Sequence, residues 1–184
     1  MKKTIFTALA AIALTFTTFN ASAQKLVSST THFKFFSSTP AENIEANNYK
    51  TVSTLEPATG EIVFSVPMQS FEFEKALMQE HFNSKKFLDT KTNPKAKLTG
   101  KIADLSKVNF TKDGSYPVDV DGELTINGVT NPVKEKATII VKNGKVALTS
   151  KLNVTLDDYK IAFKSGKPST NIAKTVEVTV EANY

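Results

Sequence analysis

The stretch VDVDGELTINGVTNPV, residues 118–133, decides how the chain folds. Its first half puts Val118, Val120, Leu124 and Ile126 on even positions, with Asp119, Asp121, Glu123 and Thr125 between them. Successive side chains of a strand point to opposite faces, so this period of two describes a β-strand with one apolar and one wet face. Asn127-Gly128 follows, a dipeptide that tolerates the positive φ angles of a tight hairpin turn, and the next strand should therefore return antiparallel. Asp121-Gly122 interrupts the apolar alternation. A glycine there reads as a bulge that helps the sheet curl towards closure.

Working outward, even-numbered apolar runs recur at Ile62, Phe64 and Val66, at Ala96, Leu98, Gly100 and Ile102, and at Val108 and Phe110. They resume from Val146 to Leu156 and from Val176 to Ala182. Asp113-Gly114 and Asn143-Gly144 supply further hairpin turns. Two more strands are expected over residues 31–36 and 44–55, which brings the total to about eight or nine and suits an up-and-down barrel. The pattern breaks once, over Glu74 to His81, where Lys75, Ala76, Leu77, Met78, Gln79 and Glu80 are good helix formers without β-branching. A short helix is predicted there. Ser84 would cap a second helical turn through Leu88, and Asn93-Pro94 would end the excursion.

The opening residues have a different character. Lys2 and Lys3 precede an apolar stretch that ends near Phe16, and Ala21-Ser22-Ala23 offers small residues to a signal peptidase. The predicted organisation is a cleaved signal peptide over residues 1–23 and one domain over 24–184, exported to the periplasm or beyond, with no membrane span left after cleavage. Loss of Lys2 and Lys3 leaves 21 lysines against 18 acids, a balance of +3. The chain has no arginine and its lysines are dispersed, which argues against nucleic acid as a partner. With no cysteine, burial and backbone pairing must hold the fold. Among protein partners, a homodimer is left open.

Two segments carry a resemblance. HFNSKKFLDTKTNPKAKL, residues 81–98, places His81, Phe82, Ser84, Phe87, Leu88 and Pro94 in a recurrent pattern, and LTINGVTNPV, residues 124–133, adds Gly128, Val129, Thr130 and Pro132. Together they resemble the YceI-like family of bacterial periplasmic lipid-binding proteins, and the likeness extends over about Thr31 to Tyr184. The resemblance implies an all-β, extended eight-stranded antiparallel barrel, lipocalin-like, with the short helix near its mouth. It also implies an isoprenoid-type lipid, such as a polyprenyl or quinone-like tail, bound in the lumen. Met78 and Gln79 stand where many family members carry an Arg-Asp pair, and Asn93 stands where the family has Tyr. Such a tail would then be held without a charged clamp, since each buried CH₂ contributes up to ~0.8 kcal/mol.

Catalytic chemistry finds little material. The two histidines, His32 and His81, are not at the spacing of a zinc pair, and no Gly-x-Ser-x-Gly elbow occurs. No metal, cofactor or catalytic residue is expected. His32 should face solvent or a sheet edge. His81 is either a hydrogen bond from the helix to the barrel rim or a contact to a ligand headgroup. Asp119/Asp121 and Asp157/Asp158 read as solvated surface. The candidate lumen residues are Phe33, Phe35, Phe64, Val66, Phe71, Phe73, Leu77, Phe82, Phe87, Leu98 and Phe110. Read alone, these aromatics favour core packing. The resemblance reverses that order for a subset. The alternative function is a non-enzymatic envelope interaction protein whose barrel is filled by its own side chains.

Overall fold

The alternation becomes strands. The computed structural model describes residues 24–161 and 171–184; residues 1–23, which hold the expected signal peptide, lie outside the described residues. In chain order the strands are β1 (Leu26–Val27), β2 (Thr30–Ser38), β3 (Asn43–Asn48), β4 (Val52–Glu56), β5 (Glu61–Pro67) and β6 (Glu72–Phe73). The helix α1 (Ala76–Asn83) separates these from β7 (Lys95–Ile102), β8 (Gly114–Ile126), β9 (Val129–Lys142), β10 (Lys145–Thr155) and β11 (Thr175–Asn183). All eleven join in one antiparallel sheet.

Eight long strands close this sheet into a barrel. β1 and β2 are pieces of one run, and so are β3 and β4: Leu26 faces Leu55, Val27 faces Thr54, Phe33 faces Asn48 and Ser38 faces Asn43, all in one register. The second run then pairs with β5, followed by β7, β8, β9, β10 and β11 in turn. β11 returns to the first run, with Val180 opposite Phe33 and Asn183 opposite Thr30. The predicted eight-stranded barrel is this ring. The count reaches eleven because two strands are broken and the two-residue β6 is added beside β3.

The breaks have a side-chain cause. Thr31 and Phe33 point inward from β2, while across the break it is Leu26 that packs on the core and Val27 that is exposed. The partner run changes face at the same height, from Ala46 and Asn48 to Ser53 and Leu55, so the register survives both changes. Backbone groups freed there are claimed locally. Buried Asn48 donates to the Pro67 carbonyl at 2.9 Å and accepts from the Lys50 N–H at 2.9 Å, and Ser28 Oγ accepts from the Ser53 N–H at 2.9 Å.

Two-residue turns also take β9 off the even positions. Asn127 and Gly128 have φ of 52° and 74°, Asn143 and Gly144 of 51° and 74°, the conformation of turns whose twist matches paired strands. Ile126 thus pairs with Val129 and Lys142 with Lys145, which moves the inward face to odd positions, Ala137, Ile139 and Val141.

Four expectations need correction. Register runs unbroken through Gly122, which lies opposite Gly100 and Val133, so no bulge occurs. The glycine is there for close approach instead: a Cβ on Gly122 would sit 2.4 Å from the Thr99 carbonyl oxygen and 2.8 Å from Gly100 Cα. Val108 and Phe110 lie in the loop between β7 and β8, and Gly114 opens β8 instead of forming a hairpin turn. Two alternating apolar residues are too short a pattern to distinguish a strand from a loop that folds back on the core. Beyond Ser84 the chain makes turns and no second helical segment, because the Ser84 carbonyl accepts from both Phe87 and Asp89 and Asp89 takes a φ of 46°.

One end of the barrel is packed solid by Leu55, Ile62, Phe64, Ile102, Val120, Ile139, Leu148 and Val180. Beside them runs a buried polar chain, Thr31 Oγ1 to Ser53 Oγ at 3.3 Å and Ser53 Oγ to the Tyr184 hydroxyl at 3.0 Å. Burial pushes the Tyr184 phenol up to about 12 from its ordinary 10.0, against the lowering effect of the Ser53 hydrogen bond. A phenol neutral in the fold but ionised when unfolded makes stability fall as pH rises from 10 to 12, with full stability below 10. The expected loss from this group is about 2 kcal/mol. Urea denaturation at rising pH checks this. The stability gap between the wild type and Tyr184→Phe should shrink across that window, and a gap independent of pH would refute it.

Candidate functional site

The opposite end of the barrel is hollow. A cavity of about 270 Å³ opens there, lined by Val66 from β5, Ala96 and Leu98 from β7, Leu124 and Ile126 from β8, Leu152 and Val154 from β10, and Val176 and Val178 from β11. These positions are the inward faces of successive strands, so the apolar lining follows from the alternation. Phe33, Phe35 and Ser37 contribute from β2, and Leu156, Ile161 and Ile172 from the segments around β10 and β11.

An aromatic cluster forms one flank. Phe82 of α1 is buried against Phe35, Phe71, Phe73 and Phe87, with ring centroids 5.1 to 6.4 Å apart. Phe35 also meets Phe71 at 5.6 Å and Phe73 at 5.5 Å. Tilted and edge-on arrangements dominate, as the ring quadrupole favours. Met78 and His81 reach the cavity from the same helix.

Of the residues singled out from the sequence, Phe33, Phe35, Val66, Phe71, Phe73, Phe82, Phe87, Leu98 and His81 border this cavity. Three others do not. Leu77 lies on the outer side of α1 at 61% exposure, and Met78, one position on, takes the inward place. Phe64 belongs to the packed end at 2% exposure, edge-on to Phe33 at 5.4 Å. Phe110 packs on the core from the β7–β8 loop. Met68, Leu152, Val154 and Val178 went unrecognised in the sequence, because alternation marks a face and says nothing of height along the strand.

Polar groups are sparse and confined to the rim. Glu42 accepts a hydrogen bond from Lys75 Nζ at 3.0 Å, which ties the β2–β3 turn to the start of α1, and also accepts from Asn171 Nδ2 at 3.4 Å. The Lys75 hydrogen bond holds the Glu42 carboxyl below its usual range and the Lys75 ammonium above its own. The His81 imidazole is exposed at the rim without a hydrogen bond to the described residues; its carbonyl accepts from the Ser84 hydroxyl at 2.8 Å. Asn93 Nδ2 donates to Asn127 Oδ1 at 2.9 Å, and Asn127 donates to the carbonyls of Tyr159 and Lys160, which binds three connecting segments together at this end.

Elsewhere, His32 bonds Asn47 at 2.8 Å and stacks on Tyr49, away from the cavity. Asp119 and Asp121 form exposed ion pairs with Lys136 and Lys134. Among the described residues no three His, Cys, Asp or Glu side chains come together as a metal site, and no helix is long and apolar enough to cross a membrane.

A closed antiparallel barrel, packed at one end and hollow at the other, is a calyx. The chain belongs to the YceI-like domain family, whose model matches residues 14–184. Protein YceI of Escherichia coli O17:K52:H18 is 28% identical over 134 residues, 70% of this chain and 66% of that protein. A UPF0312 protein of Pectobacterium atrosepticum is 26% identical over 128 residues, 66% of this chain and 62% of that one. The match thus spans slightly less than two thirds of these relatives' own length. Among solved structures, a polyisoprenoid binding domain from Saccharophagus degradans implicated in plant cell wall breakdown superposes with a TM-score of 0.71 at 16% identity, covering 84% of this chain and 92% of that one. BcnA of Burkholderia cenocepacia gives 0.71 at 18% identity, covering 84% and 96%. At these identities the likeness is one of fold.

Proposed function

We propose that this protein binds a hydrophobic, isoprenoid-type lipid by its apolar tail in the hollow end of the barrel, carrying or sequestering it without catalysis. The observation that carries the reading is the cavity itself, an apolar calyx continuous with the family fold and flanked by five phenylalanines. The polyisoprenoid-binding neighbour supports the same ligand class. Burying hydrocarbon contributes about 0.8 kcal/mol per CH₂, so a tail can bind firmly with its headgroup at a rim where, among the described residues, Glu42, Lys75, His81, Lys97 and Asn171 supply polar groups. On this reading residues 1–23 direct export and 24–184 act as one domain in the periplasm or outside the cell.

The packed end answers the alternative of a filled barrel for only half the lumen. The test is to express residues 24–184, extract the purified protein with organic solvent and analyse the extract by lipid mass spectrometry. A retained or taken-up prenyl or other long-chain lipid is expected. A protein that neither retains nor takes up any such lipid fails the proposal.

A further inference from the structure

The hollow and packed ends meet at one layer, and that layer has a built stop. Phe64 is the next inward residue below Val66 on β5, 2% exposed and in edge contact with Phe33 at 5.4 Å. The inward residue below Phe33 on β2 is Thr31, which bonds Ser53, itself bonded to Tyr184. A hydrocarbon tail pushed past the two rings would have to displace a close-packed aromatic pair and then meet buried polar groups already paired with one another. Both steps oppose apolar matter.

The space above this layer is small. An apolar cavity of about 150 Å³ takes up one benzene, so about 270 Å³ encloses roughly eleven carbon atoms. We infer that the Phe33–Phe64 pair, with Phe33 facing the cavity and Phe64 packed behind it, is the length gauge of the site, and that the protein grips about two isoprene units of a tail whatever the full length of the lipid. This rests on the lipid-binding reading and goes beyond it, because it makes Phe64 a specificity-determining residue and fixes how much of the ligand is recognised.

The test uses residues 24–184 and four prenyl monophosphates with one headgroup, dimethylallyl, geranyl, farnesyl and geranylgeranyl, each displacing a fluorescent naphthalene sulfonate probe. In the wild type, affinity should rise roughly tenfold or more from dimethylallyl to geranyl, then change by less than about threefold for each further unit. Phe64→Ala frees about one ring's volume and should move the plateau one unit out, so that farnesyl gains roughly tenfold over geranyl. Ala96→Leu, which fills the cavity from its wall, should weaken geranyl and longer chains roughly tenfold and leave dimethylallyl within about threefold. This second variant keeps the test decisive if Phe64→Ala does not fold. A steady gain through geranylgeranyl in the wild type, or an Ala96→Leu profile identical to it, overturns the gauge while leaving lipid binding standing. No displacement by any of the four defeats both.

Discussion

Replacing Gly122 with alanine is expected to remove about 3 kcal/mol or more of stability, although the change adds a single methyl group. The added carbon would lie 2.4 Å from the Thr99 carbonyl and 2.8 Å from Gly100 Cα, and both obstacles are backbone. A flexible side chain could swing aside; a ladder of paired strands cannot. Relief requires β7 and β8 to part at Gly100 and Gly122, which are opposite each other, and so costs the hydrogen bonds around them. Gly144→Ala is the control, with nothing within 4 Å of its added carbon and only the φ of 74° to oppose it, at a cost of about 1 kcal/mol. Thermal melts should separate the two variants by several degrees, roughly 2 to 4 °C for each kcal/mol. Equal melting temperatures would show that β7 and β8 tolerate separation.

Phe82→Ala should cost about 3 kcal/mol, the lower end for a buried phenylalanine because part of the vacated space joins an existing cavity. Its larger effect is local. Phe82 is the one buried side chain of α1, which has no side-chain cap at its start, and its ring contacts with Phe35, Phe71 and Phe73 pack the helix on the barrel. Amide hydrogen exchange should therefore quicken over residues 76–83 while β9 and β10 near Ile139 and Leu148 keep their protection. Uniform loss of protection across both regions would mean that the helix and the packed end form a single cooperative unit.

Much of this architecture was legible in the residues, and the places where it was not have physical reasons. Val118 to Ile126 announced an antiparallel strand because one buried face imposes period two, and Asn127-Gly128 announced its turn because few dipeptides accept two positive φ angles. Gly122 was misread because a missing side chain accommodates either an extra residue or a close neighbour, and only the partner strand, with Gly100 opposite, decides which. Leu77 and Met78 were exchanged because an eight-residue helix with one buried side chain has too weak an apolar stripe to fix its rotation. The cavity's height along the barrel was not readable at all. Phe64 and Val66 obey the same alternation, yet one packs the floor and the other lines the hollow, a difference set by the rings and polar groups that reach that level from β2 and the C-terminal residue.

The pairing of Thr30 with Asn183 also bears on how the protein comes to exist. The ring is sealed by the pairing of β2 with β11, the last strand of the described residues in chain order, so no chain emerging during synthesis can complete it before residues 175–183 are made. Until residues 175–183 dock, β10 and β2 each present a row of unpaired backbone groups, and such edges template aggregation. Joining residues this far apart is also slow, because the loop must close before its contacts contribute. A chain stalled short of β11 is thus an open sheet with two adhesive margins and not a smaller barrel.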